Sequence, residues 1–297
     1  MRGLKTLVWR NTKLFFKDKG MFFTSLVTPL ILLLLFVTFL GNVYRDSFSS
    51  LLDACGATAP DSLMEGFVGG WLFSSLLAVC CVTVAFCSNM LMVQDKVTGA
   101  RMDLTMAPVK NSTLSMGYYI STALSTLLIC MVALAACFLY LGKVGWYLSG
   151  QDILLTCLDV FLLTMFGTAL SSVVNHFLTT QGQMSAVGTV VSAGYGFICG
   201  AYMPISQFSD GIQKFISFLP GTYGTALLHN HLMQGAYDEL EKTLPQQAVD
   251  GLREAFDSQL QFFDHDVSTG AMYGVMAAAV ILLVGVYVLL GMRNTRG

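Results

Sequence analysis

The chain has 297 residues, 55% of them hydrophobic and only 11% charged, and a mean hydropathy of +0.65. A soluble domain carries about 25% charged residues, so there is too little polar surface here to cover a water-soluble globule, and a disordered chain, which would be polar, is excluded as well. The net charge of −2 gives no overall basic footprint for nucleic acid, and the composition is that of an integral membrane protein.

The first predicted element is a helix from Gly3 to Lys17. At about 100° per residue, Leu4, Leu7, Val8, Leu14 and Phe15 gather on one face, with Thr6, Arg10, Lys13 and Lys17 opposite. Such a helix suits the headgroup layer, and residues 1–20 read as an interfacial element. Basic residues before an apolar run also begin a signal peptide. The run from Met21 to Leu40 is too long for that, and no small-x-small cleavage site follows, so it reads as a retained first span.

A membrane helix needs about 20 mostly apolar residues. Six segments qualify: Met21–Tyr44, Phe67–Val93, Thr113–Leu141, Ile153–Phe177, Met184–Pro204 and Thr269–Met292. An even number puts both termini on one side. With the termini inside, the inner segments hold Arg2, Lys5, Arg10, Lys13, Lys17, Lys19, Lys96, Arg101, Lys110, Arg293 and Arg296, and the outer ones only Arg45, Lys143, Lys214, Lys242 and Arg253. The positive-inside rule therefore predicts cytoplasmic termini. The inner connection 94–112, between the second and third spans, is expected to hold a short helix between Thr98 and Ala107. Pro108 ends it, and Asn111 or Ser112 caps the third span.

Asp159 is the one acid inside a span, and no basic residue in the other spans pairs with it. An intramembrane carboxylate is a functional candidate by default; the plainer alternatives are snorkelling or a bond to a neighbouring Thr. The fifth span carries Gly188, Gly194, Gly196 and Gly200 and ends in Tyr202-Met203-Pro204. The following Ile205–Leu219 is too short to cross and stops at Pro220-Gly221, so 205–222 reads as a re-entrant or interfacial hairpin. The polar segment 223–268 reads as an outer cap. Its helix starts near Pro245, with Val249, Leu252, Phe256 and Leu260 inward and Asp250, Glu254 and Asp257 facing water.

Little in the chain points to catalysis. There is no G-x-x-x-x-G-K-[ST] loop, no H-E-x-x-H and no G-x-S-x-G. His229 and His231 would diverge on a helix and share a face on a strand, and no carboxylate or cysteine cluster completes a zinc site around them. Of eight cysteines, seven lie in apolar runs and only Cys55 lies in a polar loop, so neither a disulfide framework nor a metal site is expected.

Three features together resemble the type-2 ABC exporter permeases, the membrane subunits of two-component ATP-driven exporters. They are the basic amphipathic helix running into a first span with an internal Pro29, the inner loop with Gly99, Leu104 and Pro108, and Gly200-Ala-Tyr-Met-Pro204 followed by FISFLPGTY at 215–223. The chain departs from the family at Arg101 and Met102, where acidic residues are common. The resemblance implies an all-α integral membrane fold of six transmembrane helices with an N-terminal interfacial helix and a re-entrant segment after the fifth span, forming one transmembrane domain, 1–297, in which spans one to four occupy 21–177 and spans five and six 178–297.

It also implies two copies of a cytoplasmic ABC ATPase subunit that carry ATP and Mg, with no cofactor on this chain, and a second permease subunit, identical or related, in the cell membrane. Coupling to the ATPase falls on Gly99, Arg101, Asp103, Leu104 and Pro108. The substrate path falls on Phe36, Phe39, Phe73, Phe86, Met90, Tyr195, Phe197 and Tyr202, and the outer gate on Gly200, Pro204, Pro220 and Tyr223. The Met- and aromatic-rich spans favour export of an amphipathic or hydrophobic compound such as a drug, antibiotic or lipid-like metabolite; polysaccharide or teichoic-acid export stays open, as does an ion-coupled carrier using Asp159. The short run Leu148-Ser149-Gly150-Gln151 is similar to the ATPase signature motif, but it lacks a glycine and lies in an outer loop.

Overall fold

The computed structural model describes residues 2–54, 56, 58–106, 109–256, 260–262 and 265–293. It is all-helical apart from one two-residue antiparallel ladder, Gln261–Phe262 (β1) against His265–Asp266 (β2). The helices are α1 (Arg2–Lys17), α2 (Lys19–Leu35), α3 (Gly41–Ala54), α4 (Asp61–Val97), α5 (Ala100–Met106), α6 (Asn111–Val144), α7 (Gly150–Phe177), α8 (Gln181–Ile198), α9 (Asp210–Ser217), α10 (Pro220–Thr243), α11 (Gln246–Ala255) and α12 (Thr269–Arg293). A π turn, Phe36–Leu40, makes α2 and α3 one continuous rod.

Among the described residues, five helices are long and apolar enough to cross a membrane: Lys19–Ala54, α4, α6, α7 and Thr269–Met292. The remaining expected span, the segment Met184–Pro204, is not among them. The fifth segment forms only α8, 18 residues or about 27 Å, whose first turn is polar and which breaks at Cys199. The helix breaks there because Gly200 takes φ +74° and the amides of Ala201 and Tyr202 both return to the Gly196 carbonyl, at 2.9 and 3.0 Å, a left-handed C-terminal turn that glycine makes without strain.

α4 is the hub. It packs against α2, α6, α7, α8 and α10, and 94% of its most apolar stretch is covered by protein, against 22% for Lys19–Ala54 and 17% for Thr269–Met292. The hub is sealed to its neighbours by small residues: a Cβ added at Gly167 would lie 2.8 Å from the Cys81 carbonyl, the kind of close approach that dispersion forces need in lipid. Polar groups join the same faces. Asn89 Nδ2 donates to Ser171 (3.1 Å) and Ser172 (3.0 Å), and Thr122 donates to Asn89 Oδ1 (3.4 Å).

The predicted outer cap is corrected over its first half. Residues 220–243 form α10, a helix buried in the bundle against α4, α7 and α12. Pro220 starts it at the first helical position, Gly221 lies against Tyr195 and Gly224 against Leu163 and Met276. Its histidines misled the sequence reading, since His229 meets buried Ser74 and Ser75 and His231 meets buried Asp159. The remainder is a cap: on α11 and just beyond it, Val249, Leu252, Phe256 and Leu260 are buried and Asp250 is exposed. The side chain of Glu254, and Asp257, lie outside the described residues, as does Cys55. Between α8 and α10, Ile205–Gln207 is a single 3-10 turn and α9 a short helix.

The predicted third-span cap is also corrected. Lys110 holds the N-cap position of α6 without a side-chain cap bond. At α7 the cap is Ser149, in a reciprocal box with Asp152, which is the structural role of the Leu148–Gln151 run.

Candidate transport groove and coupling surface

The short helix α5 follows α4 through Gly99, which takes φ +80°, a left-handed conformation that side chains resist. Leu104 of α5, and Val109 just beyond it, pack against the buried cluster that holds Leu7, Met92, Leu114 and Tyr118. The other face of α5 is open: Met102 is 70% and Met106 86% exposed, and Asp103 is exposed beside them. Arg101 is half-buried, and Pro108 lies outside the described residues. The sequence reading named Met102 only as a departure from the family and did not name Met106. Their i, i+4 spacing was the available signal.

The last turn of α4 clamps this surface. Arg10 of α1 grips Asp95 with two nitrogens, at 2.7 and 3.0 Å, and the Tyr118 hydroxyl of α6 donates to the same carboxylate at 2.6 Å. The hydrogen bonds to Asp95 raise the guanidinium pKa above its usual value. Arg10 was predicted on a solvent- or headgroup-facing cationic stripe; the buried Asp95 instead draws it onto the bundle. One residue on, Lys96 Nζ donates to the carbonyls of Asn175, His176 and Leu178, at 3.1, 2.6 and 3.0 Å, satisfying the negative C-terminal end of α7.

From the α5 end a groove of about 1160 Å³ runs along α4 between two walls, α2–α3 on one side and α8 with its following turn on the other. Its near end holds Asp18, Gln94 and Gln181, its middle Thr24, Thr28, Ile31, Met90, Ser185 and Thr189, and its far end Phe39, Tyr44, Phe197, Tyr202 and Met203. The lining is mostly apolar, with hydroxyls and amides at intervals and Asp18 as its one charged residue. That chemistry suits an amphipathic solute.

Of the path residues named from the sequence, Phe39, Met90, Phe197 and Tyr202 line this groove. Phe36 and Phe86 are buried in the helix core. Phe73 faces Tyr140 of α6, with ring centroids 5.0 Å apart, and Tyr195 is turned toward Gly221. Tyr44, which lines the far end, was not singled out. Of the gate residues, Gly200 and buried Pro204 form the turn after α8, while Pro220 and Tyr223 start α10. The Tyr223 hydroxyl donates to the Ser217 carbonyl (2.7 Å) and Thr222 to Ile216 (3.0 Å), which ties α10 back onto α9.

Asp159 has the basic partner that the spans lacked. His231 Nδ1 of α10 is 2.6 Å from its Oδ2, and the Tyr273 hydroxyl of α12 donates to Oδ1 at 2.6 Å. The carboxylate is fully buried and lies outside the groove lining. His229 points elsewhere, to Ser74 (3.2 Å) and Ser75 (3.5 Å). The two histidines therefore diverge.

These helices, with a covered hub and lipid-facing flanks, make a multi-pass membrane protein. Residues 2–232 match the ABC-2 type transporter family, and the chain belongs to it. The family is one of transport subunits that associate with an ABC ATPase. Among curated proteins, none matches this chain.

Proposed function

We propose that the chain is the permease half of an ATP-driven exporter that moves an amphipathic or hydrophobic compound, such as a drug, antibiotic or lipid-like metabolite, out of the cell. The observation that carries this reading is the continuity of α4: one helix forms the floor of an apolar groove and runs directly into α5, whose exposed methionines await a partner. A second permease copy or relative closes the groove, and two cytoplasmic ABC ATPases, holding ATP and Mg, seat on α5. The α5 end is then cytoplasmic, in keeping with the Lys/Arg distribution. α8 with its turn forms the fifth crossing, and α9–α10 re-enters from the outer side. ATP closure of the motor acts by favouring one of two membrane states over the other.

The apolar lining favours amphipathic cargo over polysaccharide. The placement of Asp159 off the groove speaks against an ion-coupled carrier that uses it. The test is a Met102→Asp, Met106→Asp double variant. It is expected to weaken association with the ATPase at least tenfold, as losing an interface hot spot does, while the helical content of the purified chain stays unchanged. Wild-type association would refute the coupling surface.

A further inference from the structure

At the far end of the groove the two walls are joined. Tyr44 stands on the α2–α3 wall and Tyr202 on the turn after α8. Both line the groove, and the Tyr44 hydroxyl donates to the Tyr202 carbonyl at 3.0 Å. Each partner is held. The Tyr44 ring is buried, 4.2 Å between centroids from Trp71 and 6.0 Å from Phe256. The Tyr202 carbonyl is presented by the Gly200 turn, with the Tyr202 ring laid over Gly196 and edge-on to Phe197 at 4.9 Å.

We propose that Tyr44 is the latch of the outer gate: its bond to Tyr202 closes the groove in the resting state and must break for cargo to leave. This rests on the groove being the transport path. The wall beneath Tyr44 has the means to move. From Leu32 on, its buried residues recur every fourth position, at Leu32, Phe36, Tyr44, Phe48 and Leu52 with Leu40 half-buried between them. In an α-helix each step of four drifts by about 40°. The wider π turn Phe36–Leu40 takes part of that drift back and keeps Tyr44 over Trp71. Gly41 permits the turn, since a Cβ there would lie 2.8 Å from the Phe36 carbonyl. Relaxing the π turn to α geometry rotates α3 against α2 and carries the hydroxyl off its acceptor.

The experiment uses the complex with its ATPase in vesicles and needs no cargo. Ser192→Cys, in the groove, is placed in a background where Cys55, Cys87 and Cys157 are serine, and is labelled with a membrane-impermeant maleimide from the side opposite α5. The parent is expected to label slowly, and several-fold faster with ATP. Tyr44→Phe is expected to label at the fast rate without ATP, with its unfolding temperature close to the parent's. A Tyr44→Cys, Tyr202→Cys pair joined by a short reducible cross-linker is expected to stay slow with ATP and to recover on reduction. If Tyr44→Phe labels as slowly as the parent, or the cross-linked pair still responds to ATP, the latch is overturned while the permease reading stands. A parent that does not respond to ATP overturns that reading, and the latch with it.

Discussion

Among single residues, Asp159 shows what sequence reading reaches and where it stops. The acid and the His-x-His pair were each visible as anomalies in an apolar chain. Nothing local joined them, because Asp159 and His231 are 72 residues apart and the helix that brings them together had been read as a surface cap. Removing one partner of a buried hydrogen-bonded pair costs about 1–3 kcal/mol, since the other is left unsatisfied. Asp159→Ala is therefore expected to lower the unfolding temperature in detergent. Adding His231→Ala is expected to cost far less than it does alone, and simple additivity of the two losses would contradict the pairing. Gly99 was legible for the opposite reason: a glycine between two helical patterns is a local signal. At φ +80°, with open space around a Cβ, Gly99→Ala costs about 1 kcal/mol of backbone strain. The complex carrying it is expected to hydrolyse ATP with reduced transport, measured together in one preparation.

α4, α6, α7 and α12 were read to within about six residues, because their apolar runs are long and their ends carry charge or turn residues, whereas the first span, read as Met21–Tyr44, runs ten residues further through polar α3 to Ala54. α12 was placed almost to the residue. α8 and α10 were misjudged in complementary ways. α8 is apolar in composition but short, and α10 is polar in composition but buried, since its histidines find Ser74, Ser75, Asp159 and Tyr273. Hydropathy sees neither partner. α1 was predicted as a helix, yet its docking onto α4 and α6 through Arg10 and Asp95 depends on a contact 85 residues apart. Arg10→Ala leaves Asp95, 6% exposed, with only Tyr118 and is expected to detach α1. Limited proteolysis near residues 10–20 is the check, faster cleavage being the predicted outcome. An Arg10→Asp, Asp95→Arg exchange is expected to restore part of the protection; equal cleavage in all three proteins would mean that α1 is held by its apolar face alone.

For the whole molecule, the groove and α5 share one helix, α4, with the groove beginning at the α5 end. α4 is almost wholly covered, so a push on α5 has no soft surface along the hub in which to dissipate. Its last turn is fixed to α1, α6 and α7 by Arg10, Tyr118 and Lys96. On the proposed coupling, movement at α5 is expected to displace several helices together, and the α2–α3 wall of the groove, only 22% covered along its most apolar stretch, to follow. The chain has no phosphate-binding loop of its own, and on the proposed function the energy comes from a second polypeptide. The most direct measurement is ATP hydrolysis by the affinity-purified chain from its native membrane, before and after co-purifying subunits are stripped away. The account predicts hydrolysis that travels with a separate phosphate-loop ATPase, vanishes when that subunit is removed and returns when it is added back. Hydrolysis retained by the isolated chain, or transport across vesicles that hold this chain alone, would contradict it.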